Sequence, residues 1–209
     1  MGMRFTHVLR PTVGRLLLAI YRTRIIGIEH VPEGGAILAG NHVSYLDPVL
    51  LWSASPRPVH FMAKSELWHN RAFGMMLNSV LAFPVRRGGA DRTALTHAGE
   101  VLRDGGLVGI FPEGTRHRAD SEELGEANEG VAFIALRADV PVVPVGIEGT
   151  QKALPRGARF PRFPRVTIVF GEPVDSACCP DASRKERVKR MTALVMNRIS
   201  DSCHRAKES

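Results

Sequence analysis

The chain predicts an α/β fold: a single layered domain built on a mixed, largely parallel sheet of about seven strands flanked by helices, with an amphipathic helix at the N-terminus. Three observations predict it. Seven short apolar runs rich in branched residues recur along the 209 residues, each of strand length and most closed by Gly, Pro or Asn. Segments with the apolar spacing of a helix lie between several of these runs. Strands alternating with helices imply crossover connections, which lay helices on the faces of a largely parallel sheet. An apolar content of 44% supplies enough material for one substantial core.

Residues 1–24 read as a helix, with Phe5, Val8, Leu9, Val13, Leu16, Leu17, Ile20 and Tyr21 forming an apolar face and Pro11 a point of bending. The uncharged stretch between Arg15 and Arg22 would rise only about 9 Å as helix, against roughly 30 Å of bilayer hydrocarbon, so it cannot span a membrane. Two settings suit its apolar face: the headgroup layer of a membrane, or the protein's own core. Only five consecutive apolar residues follow the basic start, so no cleavable signal peptide is expected. Residues 25–209 form the domain that follows. Strands are expected at Ile25–Ile28, Ala36–Ala39, Val59–Met62, Leu81–Val85, Leu107–Phe111, Val142–Ile147 and Val166–Phe170. Pro141 and Pro144 at the sixth run predict an edge position or an irregular strand, because proline has no N–H for the ladder. A short apolar helix is expected at Val49–Trp52, and longer ones at about Ser65–Asn78, from an N-cap at Asp91 to Gly105, at Asn128–Ala138 and at Ala182–Ile199.

Charge narrows the partners. There are 28 Lys plus Arg against 21 Asp plus Glu, a net charge of +7 that favours an anionic partner. Arg4, Arg10, Arg15, Arg22 and Arg24 form one block, and Lys152, Arg156, Arg159, Arg162 and Arg165 another, neither interrupted by an acid. Five acids between Asp120 and Glu129 polarise the surface in the opposite sense. Nucleic acid is disfavoured, since neither an aromatic-rich RNA-binding strand nor zinc-finger spacing is present. The three cysteines, Cys178, Cys179 and Cys203, make a poor disulfide framework and point to a reducing compartment. No metal is expected, as neither Cys-x-x-Cys nor His-Glu-x-x-His occurs. A serine hydrolase is disfavoured by the lack of Gly-x-Ser-x-Gly.

The most informative stretch is Asn41-His42-Val43-Ser44-Tyr45-Leu46-Asp47-Pro48, between an apolar strand and an apolar helix, a junction where ligands commonly sit in doubly wound sheets. His42 and Asp47 are five apart, about 140° on an ideal helix, so they meet only if His42 lies in the turn before the helix and Asp47 in its first turn. A carboxylate beside imidazole would fix its tautomer for work as a general base. The same residues also fit a helix cap, Ser44 with Asp47, that leaves His42 a bystander. Phe111-Pro112-Glu113-Gly114-Thr115-Arg116, after a strand, suits phosphate oxygens through backbone N–H groups and Arg116, and equally suits a tight turn with a surface Arg. It is not a Walker loop, for the Gly-Lys-Ser/Thr ending is missing. Lys64, Arg86, Arg87 and Arg116 all lie at or after strand ends, either converging on one anion or standing as solvated charges.

Taken jointly, Asn-His-x-x-x-x-Asp, an Arg after Phe-Pro-Val, Phe-Pro-Glu-Gly-Thr-Arg, and Val-Pro-Val-Val-Pro-Val, in this order, resemble the glycerolipid acyltransferase family, and within it the bacterial 1-acyl-sn-glycerol-3-phosphate acyltransferases. The resemblance spans roughly residues 24–172. It implies transfer of a fatty acyl group from acyl-CoA or acyl-carrier protein to the free hydroxyl of 1-acyl-sn-glycerol-3-phosphate, giving phosphatidic acid, without a cofactor. It implies His42 as the base with Asp47 orienting it. Lys64, Arg87 and Arg116 would hold the acceptor's phosphate, while Glu113, Gly114 and Thr115 shape the acceptor turn. A peripheral place on the cytoplasmic side of the membrane, against anionic lipid, goes with these roles. Three features depart from the family's pattern: Asn128-Glu129-Gly130 where Lys-x-Gly is common, Leu81 where Gly is usual, and the acidic insert 120–129. They leave open the same chemistry on another lysophospholipid, a lyso-aminolipid or a glycolipid; a non-enzymatic basic membrane-binding protein is the reading from a different class.

Overall fold

The computed structural model describes residues 10–86, 91–113, 127–153, 162–178 and 182–209. Among them, seven strands form one sheet: β1 (Arg24–Ile26), β2 (Ala36–Gly40), β3 (Val59–Lys64), β4 (Phe83–Val85), β5 (Leu107–Ile110), β6 (Val142–Glu148) and β7 (Thr167–Phe170). Their order across the sheet is β1-β7-β6-β2-β5-β3-β4. Five of them, β2 to β6, run parallel; β7 is antiparallel to β6, and β1 pairs parallel with β7. Each of the seven expected apolar runs supplies one strand.

Helices cover both faces. A π-helical turn at Arg10–Gly14 leads into α1 (Arg15–Ile20), followed by α2 (Asp47–Ala54), α3 (Arg71–Ser79), α4 (Arg92–Arg103), α5 (Gly130–Ala138) and α6 (Arg184–Glu208). The two-residue period of the strands divides the core. On β2, Ala36 and Leu38 join the cluster that includes Leu50, Leu51 and Trp52 of α2, with Leu17 and Leu18 of α1 packed against it. Ile37 and Ala39 face the cluster formed by α4, α5 and α6. All five residues of β2 are buried, which is why a central parallel strand reads as a continuous apolar run rather than an alternating one. Asp91 caps α4, its side chain accepting hydrogen bonds from the Thr93 and Ala94 N–H groups.

The structure corrects the sequence reading at several points. The single helix expected over Ser65–Asn78 is two pieces, a 3-10 helix at Ser65–His69 and then α3, separated by an extended Asn70. The break lets Trp68 fold back over Gly74, where a Cβ would stand 3.2 Å from the indole, and the Trp68 Nε1 donates to Asn78 Oδ1 at 2.9 Å. Of the two settings the prolines predict for the sixth run, the edge is excluded, because β6 lies between β7 and β2, and the irregular strand is the one found. Pro144 is tolerated because regular pairing with β7 stops at Val145↔Phe170 and resumes only at the bridge Val142↔Val174. Three steps on β6 thus face four on the other chain, a bulge that requires no N–H from residue 144, whose carbonyl accepts from Gly171.

The last helix runs on past Ile199 to Glu208. Its buried stripe, Val188, Met191, Val195 and Ile199, continues through Ser202 and Ala206. Ser202 is buried because β6 presents Gly146 beneath it; a Cβ at Gly146 would lie 2.3 Å from the Ser202 backbone. Of the two settings expected for the N-terminal helix, packing on the core is met by Leu17 and Leu18, while Val13, Leu16 and Ile20 are 38%, 60% and 39% exposed. Residues 1–9 of that segment lie outside the described residues. Among the described residues no helix is long and apolar enough to cross a membrane.

Candidate active site

Parallel strands deliver their C-terminal ends to one edge of the sheet, and the site grows there. Asn41 follows β2 directly. Its buried carboxamide donates through Nδ2 to the Ile147 carbonyl at 2.9 Å and accepts from the Ile147 N–H at 2.8 Å. One side chain thereby continues the β2–β6 pairing past the end of the regular ladder and fixes where the next residue begins. That residue is His42.

From His42 the chain turns through Val43–Leu46 and enters α2 at Asp47, with Pro48 in the first turn as the spacing predicts. The turn brings Asp47 back against the residues that precede it. Asp47 Oδ2 accepts from the Val43 and Ser44 N–H groups at 2.7 Å each and lies 2.9 Å from His42 Nδ1. Asp47 thus binds the Ser44 N–H, as the helix-cap reading expects, and contacts His42 with the same oxygen. A carboxylate oxygen only accepts, so Nδ1 is the donor to it, and in the neutral ring the lone pair then lies on Nε2. Asp47 is fully buried while the His42 side chain is 19% exposed, so the carboxylate is sealed and the ring reaches the surface.

Two further groups frame the pair. Phe111, at the end of β5, stacks on His42 with ring centroids 4.4 Å apart and an interplanar angle of 22°, and Phe61 of β3 stacks behind it at 6.1 Å. After β6, Gly149 turns the chain at φ +97, where a Cβ would lie 2.2 Å from the Arg165 carbonyl. This tight turn sets Thr150 over Asp47, and its hydroxyl donates to Asp47 Oδ1 at 2.6 Å. The site thus rests on three strand ends.

The other expected positions distribute unevenly. Lys64 ends β3 as an exposed residue, in register with Val85 of β4. Arg86 follows β4; its N–H donates to Asp91 Oδ2 at 2.9 Å and its guanidinium lies 3.7 Å from the same oxygen, so its charge already has a partner. Glu113 is buried, at 9% exposure, beyond the end of β5. Its carboxylate is felt by Cys203 of α6, whose thiol is pushed up to about 12, chiefly by burial and to a lesser degree by the charges of Glu113 and Glu148. Arg87, Gly114, Thr115 and Arg116 lie outside the described residues, as does most of the acidic insert. Asn128, where the family often has Lys, accepts from the Gly130 N–H at 2.8 Å through its side chain and donates its own N–H to the Pro112 carbonyl at 2.9 Å. Among the described residues, no cluster of three or more His, Cys, Asp or Glu is arranged to hold a metal ion.

Asn41 and Phe111 lie inside the sequence motifs but carry no expected role there, and Thr150 lies in none of them. A signal existed for Asn41, an amide placed directly after an apolar strand. For Thr150 the only signal was Gly149-Thr150 after β6, and nothing local ties that dipeptide to Asp47, which is 103 residues away.

Residues 22–148 match the family model described as Acyltransferase. The 1-acyl-sn-glycerol-3-phosphate acyltransferase of Bacillus subtilis is 29% identical over 180 residues, covering 85% of this chain and 86% of that protein. The one from Streptococcus pneumoniae is 34% identical over 142 residues, which is 66% of this chain and 50% of that protein. The crystal structure of the 1-acyl-sn-glycerophosphate acyltransferase PlsC from Thermotoga maritima superposes with a TM-score of 0.70 at 25% identity, covering 93% of this chain and 81% of that one.

Proposed function

Because the chain belongs to the acyltransferase family, we propose that it transfers a fatty acyl group from acyl-CoA or acyl-carrier protein to the free hydroxyl of 1-acyl-sn-glycerol-3-phosphate, forming phosphatidic acid. The observation that carries this reading is the His42–Asp47 pair, joined at 2.9 Å at the end of a central strand with the carboxylate buried and the ring reaching the surface. His42 Nε2 removes the proton from the acceptor hydroxyl as its oxygen attacks the thioester carbonyl carbon. The C–S bond then breaks, and the departing sulfur takes the proton back from Nε2. Asp47 holds the ring in the required tautomer and offsets the positive charge that forms on it. No cofactor takes part, since transfer between a thioester and an alcohol is redox-neutral. Lys64, Arg87 and Arg116 hold the acceptor's phosphate, and Glu113, Gly114 and Thr115 shape the turn beneath it. The enzyme works as a peripheral protein on the cytoplasmic side of the membrane. Exposed Val13, Leu16 and Ile20 on a helix bordered by Arg15, Arg22 and Arg24 support contact with anionic lipid.

A second reading keeps the chemistry and changes the acceptor to another lysophospholipid, a lyso-aminolipid or a glycolipid. Asn128 favours it: this side chain caps a backbone N–H beside Pro112 where the family often places a cation. The test is an acceptor panel with purified protein and both donor types, run beside His42→Ala. Turnover with lysophosphatidate above the other acceptors supports the first reading. Turnover confined to another acceptor replaces it with the second, and thioester consumption that survives in His42→Ala removes the base from the mechanism.

A further inference from the structure

Asp47 is held by both of its oxygens, and the two hold different things. Oδ2 is saturated by donors from its own turn, the Val43 and Ser44 N–H groups and His42 Nδ1. Oδ1 receives the Thr150 hydroxyl at 2.6 Å, from the loop after β6. Donor and acceptor are both fully buried. A carboxylate fixed at only one oxygen can still swing about its terminal bond, a broad and soft torsion. Fixing the second oxygen from another strand removes that freedom.

The Thr150 loop is itself well determined. Gly149 is forced to φ +97 and packs against the Arg165 carbonyl, and the Gln151 side chain accepts from the Gly149 N–H at 2.9 Å. Two residues earlier, Ile147 is tied to Asn41 by a reciprocal pair of hydrogen bonds. The turn after β2 and the turn after β6 are thus clamped together twice, once beside His42 through Asn41 and once behind it through Asp47.

We infer that Thr150 is a positioning residue for the transfer reaction, acting through Asp47 to keep Oδ2 aligned with His42 Nδ1 and so keep Nε2 turned toward the acceptor hydroxyl. The inference rests on the reading of His42 as the base. It assigns Thr150 no contact with either substrate, so removing its hydroxyl alters the reaction step and leaves substrate binding in place.

Thr150→Val, Thr150→Ala and Thr150→Ser are compared with wild type and His42→Ala, using the donor and acceptor that wild type turns over fastest, with melting curves for each protein. Thr150→Val is expected to lower kcat by about 10- to 100-fold, the range one hydrogen bond to a charged group spans, with KM for both substrates within about threefold. Thr150→Ser, which restores the donor, is expected to recover kcat to within about threefold of wild type. The inference is overturned if a folded variant lacking the hydroxyl keeps wild-type kcat, if the loss falls in KM, or if Thr150→Ser is folded and as slow as Thr150→Val. It is equally overturned if neither Thr150→Val nor Thr150→Ala folds, since the hydroxyl then serves stability alone. Full turnover in His42→Ala sinks the base itself, whereas an inactive His42→Ala beside an unaffected Thr150→Val sinks only the role given to Thr150.

Discussion

Asp47→Asn isolates the charge of the buried carboxylate from its shape. The amide is nearly isosteric, and the surroundings can accept it. Its oxygen can face the Val43 and Ser44 N–H groups and His42 Nδ1, all three of which donate. Its NH2 then faces Thr150 Oγ1, and a hydroxyl can turn from donating to accepting. The fold and the ring position should therefore survive. What disappears, on the proposed mechanism, is the attraction between an anionic carboxylate and the imidazolium that forms as His42 takes the acceptor's proton. With charge centres about 4 Å apart and an effective dielectric near 20, that attraction is about 4 kcal/mol. At about 1.4 kcal/mol per factor of ten, kcat should fall roughly 10³-fold, within the 10² to 10⁴ that a positioned base contributes. The assay is release of free thiol from the acyl thioester at saturating acceptor, with a melting curve to show that the variant is folded. An Asp47→Asn protein that melts like wild type and retains kcat within threefold would refute the assignment of Asp47.

Asn41→Ala leaves the Ile147 N–H and carbonyl unpaired at a buried position; at about 1–3 kcal/mol for each stranded group the loss should be about 2–6 kcal/mol, read from urea denaturation, and a loss under about 1 kcal/mol would contradict the clamp. Leu81 stands at φ +59, where the family it resembles carries Gly, and its side chain is not part of either core cluster. Leu81→Gly should relieve about 1–2 kcal/mol of left-handed strain against about 0.5–1 kcal/mol of added chain entropy, so the melting temperature should rise by a few degrees rather than fall. Cys203, with its thiol raised from 9.0 to about 12, should resist alkylation at pH 8 in the native protein and react on unfolding, as peptide mapping would show. The folded thiol keeps its proton while the unfolded one loses it above pH 9, so Cys203 should make stability fall with rising pH between 9 and about 12, and Cys203→Ala should flatten that fall.

What the sequence revealed depended on how local the information was. The strands were legible because a central parallel strand must be apolar on both faces, and β2 is buried at all five positions. The His42–Asp47 turn was legible because a five-residue spacing has only one way to bring the two side chains together. Features set by distant partners were not legible. Pro144 looks like an edge signal until the bulge opposite it is known, and that bulge belongs to residues 170–174. The last helix continues past Ile199 to positions such as Ser202, whose backbone packs where Gly146, far away in sequence, leaves room for it. Over Ser65–Asn78 periodicity predicts one helix because it carries no sign of Trp68 folding back onto Gly74. Thr150 was invisible for the same reason, being meaningful only once β6 lies beside β2.

With His42 as the proposed base, the site divides into two halves with different physics, and the division explains why the proposed chemistry reads from sequence more readily than the substrate does. The base half is built from buried and mutually fixed groups: Asp47 held by four donors, Asn41 tied to β6, and Phe111 stacked on the ring. Burying a carboxylate is tolerable only when its lone pairs are satisfied. Every residue from His42 to Asp47 therefore has to fold into one particular turn, and that requirement leaves a recognisable spacing in the chain. The half proposed for the acceptor is drawn from residues at or after the ends of β3, β4 and β5. Lys64 there is exposed, Arg86 is already engaged with Asp91, and Asn128 occupies a position where a cation is common. Exposed side chains of this kind can be exchanged at little cost in stability. Changes of acceptor can thus accumulate at this edge without disturbing the base, so Lys64 and Asn128, rather than any residue of the His42 turn, are the positions at which substitution should redirect the enzyme between phosphate-bearing and other lipid acceptors.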